Sequence, residues 1–169
     1  NGTFPTASGP DTTYNGGQDA FIVKVKADGT GFVYAGFIGG SAGEFASAVA
    51  VDGAGNAYVV GATSSSAATF PAVSGPSLTL AGGYDAYVAR GKADGTALDW
   101  CGYIGGTGSD FANGVALGSA NDVYVTGSTG SAQASFPVLD GPDLTFNGSQ
   151  DAFVAKVKSD GSALLYAGY

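Results

Sequence analysis

The stretch "DAYVARG" (85–91) places small or apolar side chains on both faces of an extended chain. It then turns charged on one face, because Arg90 and Lys92 fall on the side of Ala86 and Val88 while Tyr87 points the other way. Such a run predicts a strand covered on both faces at its start and solvated on one face near its end. Asp94-Gly95 follows, supplying the positive backbone dihedral of a tight hairpin, and "LDWCGYIGG" reads as the returning strand. The same words recur as "DAFIVKVKADGT" and "DAFVAKVKSDGS".

The recurrence has a fixed step of 66 positions. Phe4-Pro5, Phe70-Pro71 and Phe136-Pro137 keep this step, as do Asp19, Asp85 and Asp151, and the Asp-Gly turns ending in Gly29, Gly95 and Gly161. Four strands are predicted per period. The first is "SAVAV" (47–51) or "NGVAL" (113–117), and the second is "AYVVGAT" or "VYVTGST". A long Ser/Thr/Pro/Gly link then leads to the third and fourth, described above. Four short strands joined by hairpins, with no crossover helix, predict an all-β chain of β-propeller blades, each a four-stranded antiparallel sheet. A β-solenoid is the alternative, but it would have shorter coils and no regular Asp-Gly hairpins.

On this division, residues 1–44 carry the third and fourth strands of a partial blade, 45–110 a complete blade and 111–169 a nearly complete one. The total is about two and a half blades, whereas closed propellers have about 4 to 8. Completion is therefore expected from further repeats of the same or another chain, or from a homo-oligomer. The sequence has no Met, so it is expected to be a processed, excised or partial chain.

Thirty Gly among 169 residues suit tight turns between strands. Fourteen acidic against six basic residues give a net charge of −8, which argues against nucleic acid and anionic membranes as partners. No apolar run approaches the roughly 20 residues of a membrane-spanning helix, so no membrane insertion is expected. The absence of His removes His-dependent triads and His metal sites, and the single Cys101 has no second thiol to pair with. Cys101 is expected to be a small core residue.

The run "DAFVAKVKSDGSALLYAGY", together with "YIGGTGSDFANGVAL" and "VYVTGST…SFP", resembles the seven-bladed β-propeller repeat family, the SBBP repeats, of bacterial and archaeal surface proteins. The resemblance covers essentially the whole chain. It implies propeller blades in a secreted or surface-anchored protein and brings no catalytic residues with it. "ALGSANDVYV" departs from the pattern by losing the turn Asp-Gly that "AVDGAGNAYV" keeps.

Every basic side chain lies on or just after a third strand: Lys24 and Lys26, Arg90 and Lys92, Lys156 and Lys158. Functionally they would form a cationic rim for an anionic glycan or partner. Structurally they would be charges at an exposed strand end that balance Asp28, Asp94 and Asp160. Asp19, Asp85 and Asp151 are expected to accept backbone N–H groups and fix the exit of each link. Glu44 and Asp110 could add oxygens to a surface calcium ion, the one cofactor considered, but are expected to be exposed loop charges. Asn-x-Ser/Thr acceptor patterns occur at 1–3 and 147–149.

No catalytic or metal-ligating set emerges. The expected function is a non-enzymatic extracellular structural module: a cell-surface scaffold, an adhesion protein or a fibre former. The alternative is a ligand- or carbohydrate-binding, lectin-like module using exposed Tyr14, Tyr84, Tyr103 or the Phe-Pro links.

Overall fold

A computed structural model describes residues 4–169; the acceptor pattern at 1–3 lies outside the described residues. The chain is all-β. In chain order the strands are β1 (Ala20–Val25), β2 (Phe32–Ile38), β3 (Glu44–Val51), β4 (Ala57–Thr63), β5 (Asp85–Gly91), β6 (Leu98–Ile104), β7 (Asp110–Leu117), β8 (Val123–Thr129), β9 (Asp151–Val157) and β10 (Leu164–Gly168). They form three antiparallel sheets: a two-stranded β1-β2, a four-stranded β3-β4-β5-β6 and a four-stranded β7-β8-β9-β10. Register repeats between the larger sheets, since Thr63 pairs with Asp85 as Thr129 pairs with Asp151. No helix among the described residues is long and apolar enough to cross a membrane.

The hairpins follow from their turn residues. Gly29, Gly95 and Gly161 have φ of 72°, 75° and 77°. Beside each glycine the turn aspartate accepts two bonds from the residue two positions on, as Asp94 Oδ1 does from Thr96 N (3.0 Å) and Thr96 Oγ1 (2.8 Å). The turn "GSAND" keeps the shape of "DGAGN" despite its different letters. Asn121 takes φ 60° where Gly55 takes 89°, and each donates its N–H over 2.9 Å, to Gly118 O and Asp52 O respectively. Asn tolerates the left-handed region better than most residues, which explains how the second copy dispenses with the glycine at the place of Gly55.

The link between second and third strands is structural. Phe70 and Phe136 are buried and pack on Tyr87 and Phe153 with ring centroids 5.3 Å apart in both copies. Val73 exchanges 2.8 Å backbone bonds with Cys101, as Leu139 does with Ala167 at 2.7 Å, so the link pairs briefly with the outer strand of its own sheet. This occupies an edge that would otherwise expose unpaired backbone groups. Immediately afterwards Ser74 and Asp140, like Ser8 in the first unit, adopt positive φ and turn the link away.

Two apolar clusters hold the sheets together, one around Tyr58, Val88, Trp100 and Val125 and the other around Ile22, Tyr34, Val59 and Tyr87. Cys101 is fully buried, as expected for a core residue, and burial pushes its thiol pKa up. The first strands begin three residues earlier than the sequence pattern predicts, at Glu44 and Asp110. A bulge between Ala46 and Ala48, repeated between Ala112 and Gly114, breaks the alternation that marks them as strand.

Candidate functional site: the carboxylates and rings between sheets

The repeat aspartates open the third strands and close the links. Asp85 accepts from Ala81 N (2.8 Å) and Gly82 N (3.1 Å), Asp19 from Asn15 N (2.8 Å) and Asp151 from Asn147 N (2.7 Å). Each therefore fixes the exit of its link through backbone N–H groups.

Glu44 and Asp110 correct the expectation of exposed loop charges: they are 1% and 0% exposed. Each starts the first strand of one sheet and reaches back to the end of the preceding one. Glu44 accepts from Gly40 N (2.7 Å) and Thr63 Oγ1 (2.8 Å), and Asp110 from Gly106 N (2.9 Å) and Ser131 Oγ (2.8 Å). The double glycines "GG" at 39–40 and 105–106 make the approach possible. A Cβ on Gly105 would lie 2.7 Å from Asp85 Cγ and 2.8 Å from Asp110 Oδ2, while one on Gly39 would lie 2.6 Å from Asp19 Cγ. Two carboxyl groups thus flank Gly105 at the junction of the second and third sheets.

The electrostatics follow from that packing. Burial first, and then the Asp110 carboxylate, push Asp85 up to about 6 against the pull of its two N–H donors. Asp19 is raised for the same leading reason, burial, with Glu44 and Asp11 adding to it. Asp19 Oδ1 and Asp110 Oδ1 are buried without a hydrogen-bond partner among the described residues. Among the described residues no three Asp, Glu, Cys or His side chains gather as a metal-ligating group. Hard cations such as calcium take about six to eight oxygens, whereas most of these carboxylate oxygens are already taken by donors of the chain itself.

The basic pairs divide, which corrects the expectation that both members serve one exposed strand end. The first members are partly buried and engaged. Arg90 meets Asp99 at 3.0 Å and Asp52 at 3.8 Å and lies over the Tyr58 ring. Lys156 meets Asp122 at 3.0 Å and lies over Tyr124. Lys24 donates to Ala93 O (3.1 Å), in the hairpin of the neighbouring sheet. Lys26, Lys92 and Lys158 are exposed. The physical reason is position: Arg90 and Lys156 still lie beside the preceding hairpin turn of their own sheet and Lys24 beside the hairpin of the neighbouring sheet, whereas the second members have passed the end of the ladder.

The aromatic candidates separate as well. Tyr103 is 0% exposed and donates its hydroxyl to Ser65 O (2.9 Å), so it is a core residue and not a surface ligand contact. Tyr14 is exposed, packs on Phe37 and donates to Gly17 O (2.6 Å). Tyr84 is half-buried between Phe45 and Phe111, with centroid distances of 6.0 and 5.7 Å. That row joins the second and third sheets at the surface, and sequence reasoning missed it because Tyr84 has Gln18 and Gln150 at its equivalent positions.

Sequence reasoning also missed the contacts between successive repeats. The rings of Tyr34 and Trp100, at equivalent positions on β2 and β6, lie against Gly95 and Gly161 in the corresponding hairpin of the next sheet, β5-β6 and β9-β10. The only signal was the shared 66-residue step of an aromatic and a glycine. No family model and no curated protein matches the chain.

Proposed function

We propose that the chain is a non-enzymatic structural repeat module whose sheets are propeller-type blades, and that it serves as an extracellular or cell-surface scaffold, adhesion element or fibre component. The observation that carries this reading is the use made of the repeated residues: Asp19 and Asp85 fasten links, Glu44 and Asp110 fasten one sheet to the previous one, and Gly95 and Gly161 receive a neighbour's ring. Side chains repeated for chemistry would instead converge on a cleft with a free reactive group. The strand order within the four-stranded sheets, the 66-residue step and the resemblance of the quoted runs to SBBP repeats support the blade assignment. The acidic, Gly- and Thr-rich composition supports placement outside the cell.

The row Phe45–Tyr84–Phe111 favours a second reading, a carbohydrate-directed binding module, because sugars stack on such ring faces. One pair of measurements separates the two. A scaffold gives ordered assemblies by electron microscopy and light scattering with no saturable glycan. Saturable glycan binding abolished by Tyr84→Ala establishes the binding module, and dispersed monomers without ligand contradict both.

A further inference from the structure

We propose that the free edge of β1 and the apolar groove beside it receive a β-hairpin from a polypeptide carrying this same repeat, in the register by which β4 pairs with β5 and β8 with β9. The proposal rests on the repeat-module reading. It starts from an asymmetry between equivalent strands. β5 and β9 are each paired on both sides, whereas among the described residues β1 pairs with β2 only. Its Phe21 is 57% exposed where the equivalent Tyr87 and Phe153 are buried. Across from it β3 exposes Val49 and Val51, and a groove of about 390 Å³ runs between them, lined by Phe21, Ile22, Tyr34, Val49, Val51 and Val59.

The chain itself shows twice what fills this position. Equivalent third strands take a hairpin whose second strand is "AYVVGAT" or "VYVTGST". The charge pattern specifies the occupant further. Arg90 and Lys156 both meet an acid of the preceding hairpin turn, Asp52 and Asp122, and both lie over a tyrosine of its second strand, Tyr58 and Tyr124. Lys24 holds the same place on β1 and lines the groove, but it reaches across to Ala93 O. The hairpin that fits therefore brings a turn aspartate and a tyrosine to Lys24, and alternating apolar residues to Phe21 and Ile22. An arbitrary extended peptide would satisfy the edge but not the cation.

The test joins residues 111–132 ahead of Asn1, which preserves the 66-residue step to the first sheet. Hydrogen exchange is then read at Ala20–Val25. The expected result is at least about tenfold slower exchange there than in the unextended chain, since pairing removes these amides from local opening. Lys24→Gln, or Asp→Asn at the graft's turn aspartate, should each reduce that protection by about two- to fivefold, and the double change no further, as for a single ion pair. Unchanged exchange at β1 overturns the proposal. Protection in the unextended chain that rises with protein concentration and is reduced by Lys24→Gln supports it, the hairpin then coming from a second copy of this chain; concentration-dependent protection that Lys24→Gln leaves unchanged overturns it. If the extended chain does not fold, a synthetic peptide of residues 111–132 added to the original chain reads the same amides, and no protection at saturating peptide overturns the proposal. Either negative leaves the assembly and glycan measurements unaffected, so the docking surface and the scaffold reading fail separately.

Discussion

Gly161 lies against the ring of Trp100: a side-chain carbon at Gly161 would sit 2.5 Å from Trp100 Cγ, although the two residues belong to different sheets. Gly95 meets Tyr34 in the same way. Gly29 has nearly the same φ, but an added carbon there would meet nothing within 4 Å among the described residues. The three hairpins are therefore alike in backbone and unlike in surroundings. Gly29→Ala should cost about 1–2 kcal/mol, the strain of a left-handed alanine. Gly95→Ala and Gly161→Ala add the displacement of a packed ring, for about 2–4 kcal/mol in total. Urea unfolding of the three variants measures this, and equal losses would remove the inter-sheet role.

Asp85 gives a stability signature in pH. Its folded pKa, about 6, stands above the ordinary 3.8, so the native chain holds this proton more tightly than the unfolded chain. The Asp85 contribution is therefore fully present below about pH 4 and is lost as pH rises through 6, on the order of 3 kcal/mol in all. Asp19 has the same sign. Asp52 has the opposite one. Burial opposes its charge, but bonds from Asn56, Ala54 and Tyr58 prevail and hold it below 3.8, so its contribution is lost as pH falls below the ordinary range. Asp85→Asn should flatten the decline between pH 4 and 6.5 in a melting-temperature series while leaving the acid limb in place. An unchanged decline would show that Asp85 ionises without hindrance.

The divided basic pairs predict unequal losses on neutralisation. Arg90→Gln removes two carboxylate contacts and the contact with Tyr58, and should destabilise by about 1 kcal/mol. Lys92→Gln, at an exposed position just beyond the strand, should stay within about 0.5 kcal/mol of the parent. Chemical denaturation resolves the contrast, and comparable losses at both sites would mean that the two charges act only through a general field.

Tyr103 provides a test inside one sheet. Tyr103→Phe keeps the ring beside Phe70 and leaves Ser65 O without its donor, for a loss of about 1–2 kcal/mol. Because the hydroxyl is buried, the same substitution should leave any glycan binding unchanged. A binding defect in a variant of parental stability would return Tyr103 to the surface.

How much of this was legible in the letters depends on the range of the interaction. The Asp-Gly hairpins, the third strands and the capping by Asp85 are local, and short-range turn chemistry announces them. The early starts of β3 and β7 were hidden because a bulge at Ala46–Ala48 breaks the two-residue period that betrays a strand. Glu44 and Asp110 were misplaced for a related reason: a carboxylate among Gly and Ser looks solvated until the preceding sheet folds over it. Tyr103 shares its 66-residue step with Phe37 and Tyr169, and the letters carry nothing to say that this ring faces the link beneath Ser65. The contact of Trp100 with Gly161 spans about one repeat, and only the stacking of sheets brings it into being.

The central claim is that the repeated residues fasten each sheet to its neighbour, and hydrogen exchange in Gly161→Ala tests it most directly. The substitution lies in the hairpin between β9 and β10, but the ring it displaces belongs to β6. The account predicts faster exchange at Leu98–Ile104 of the second sheet as well as at the substituted hairpin, with β1 and β2 unaffected. Acceleration confined to Asp151–Gly168 would contradict it.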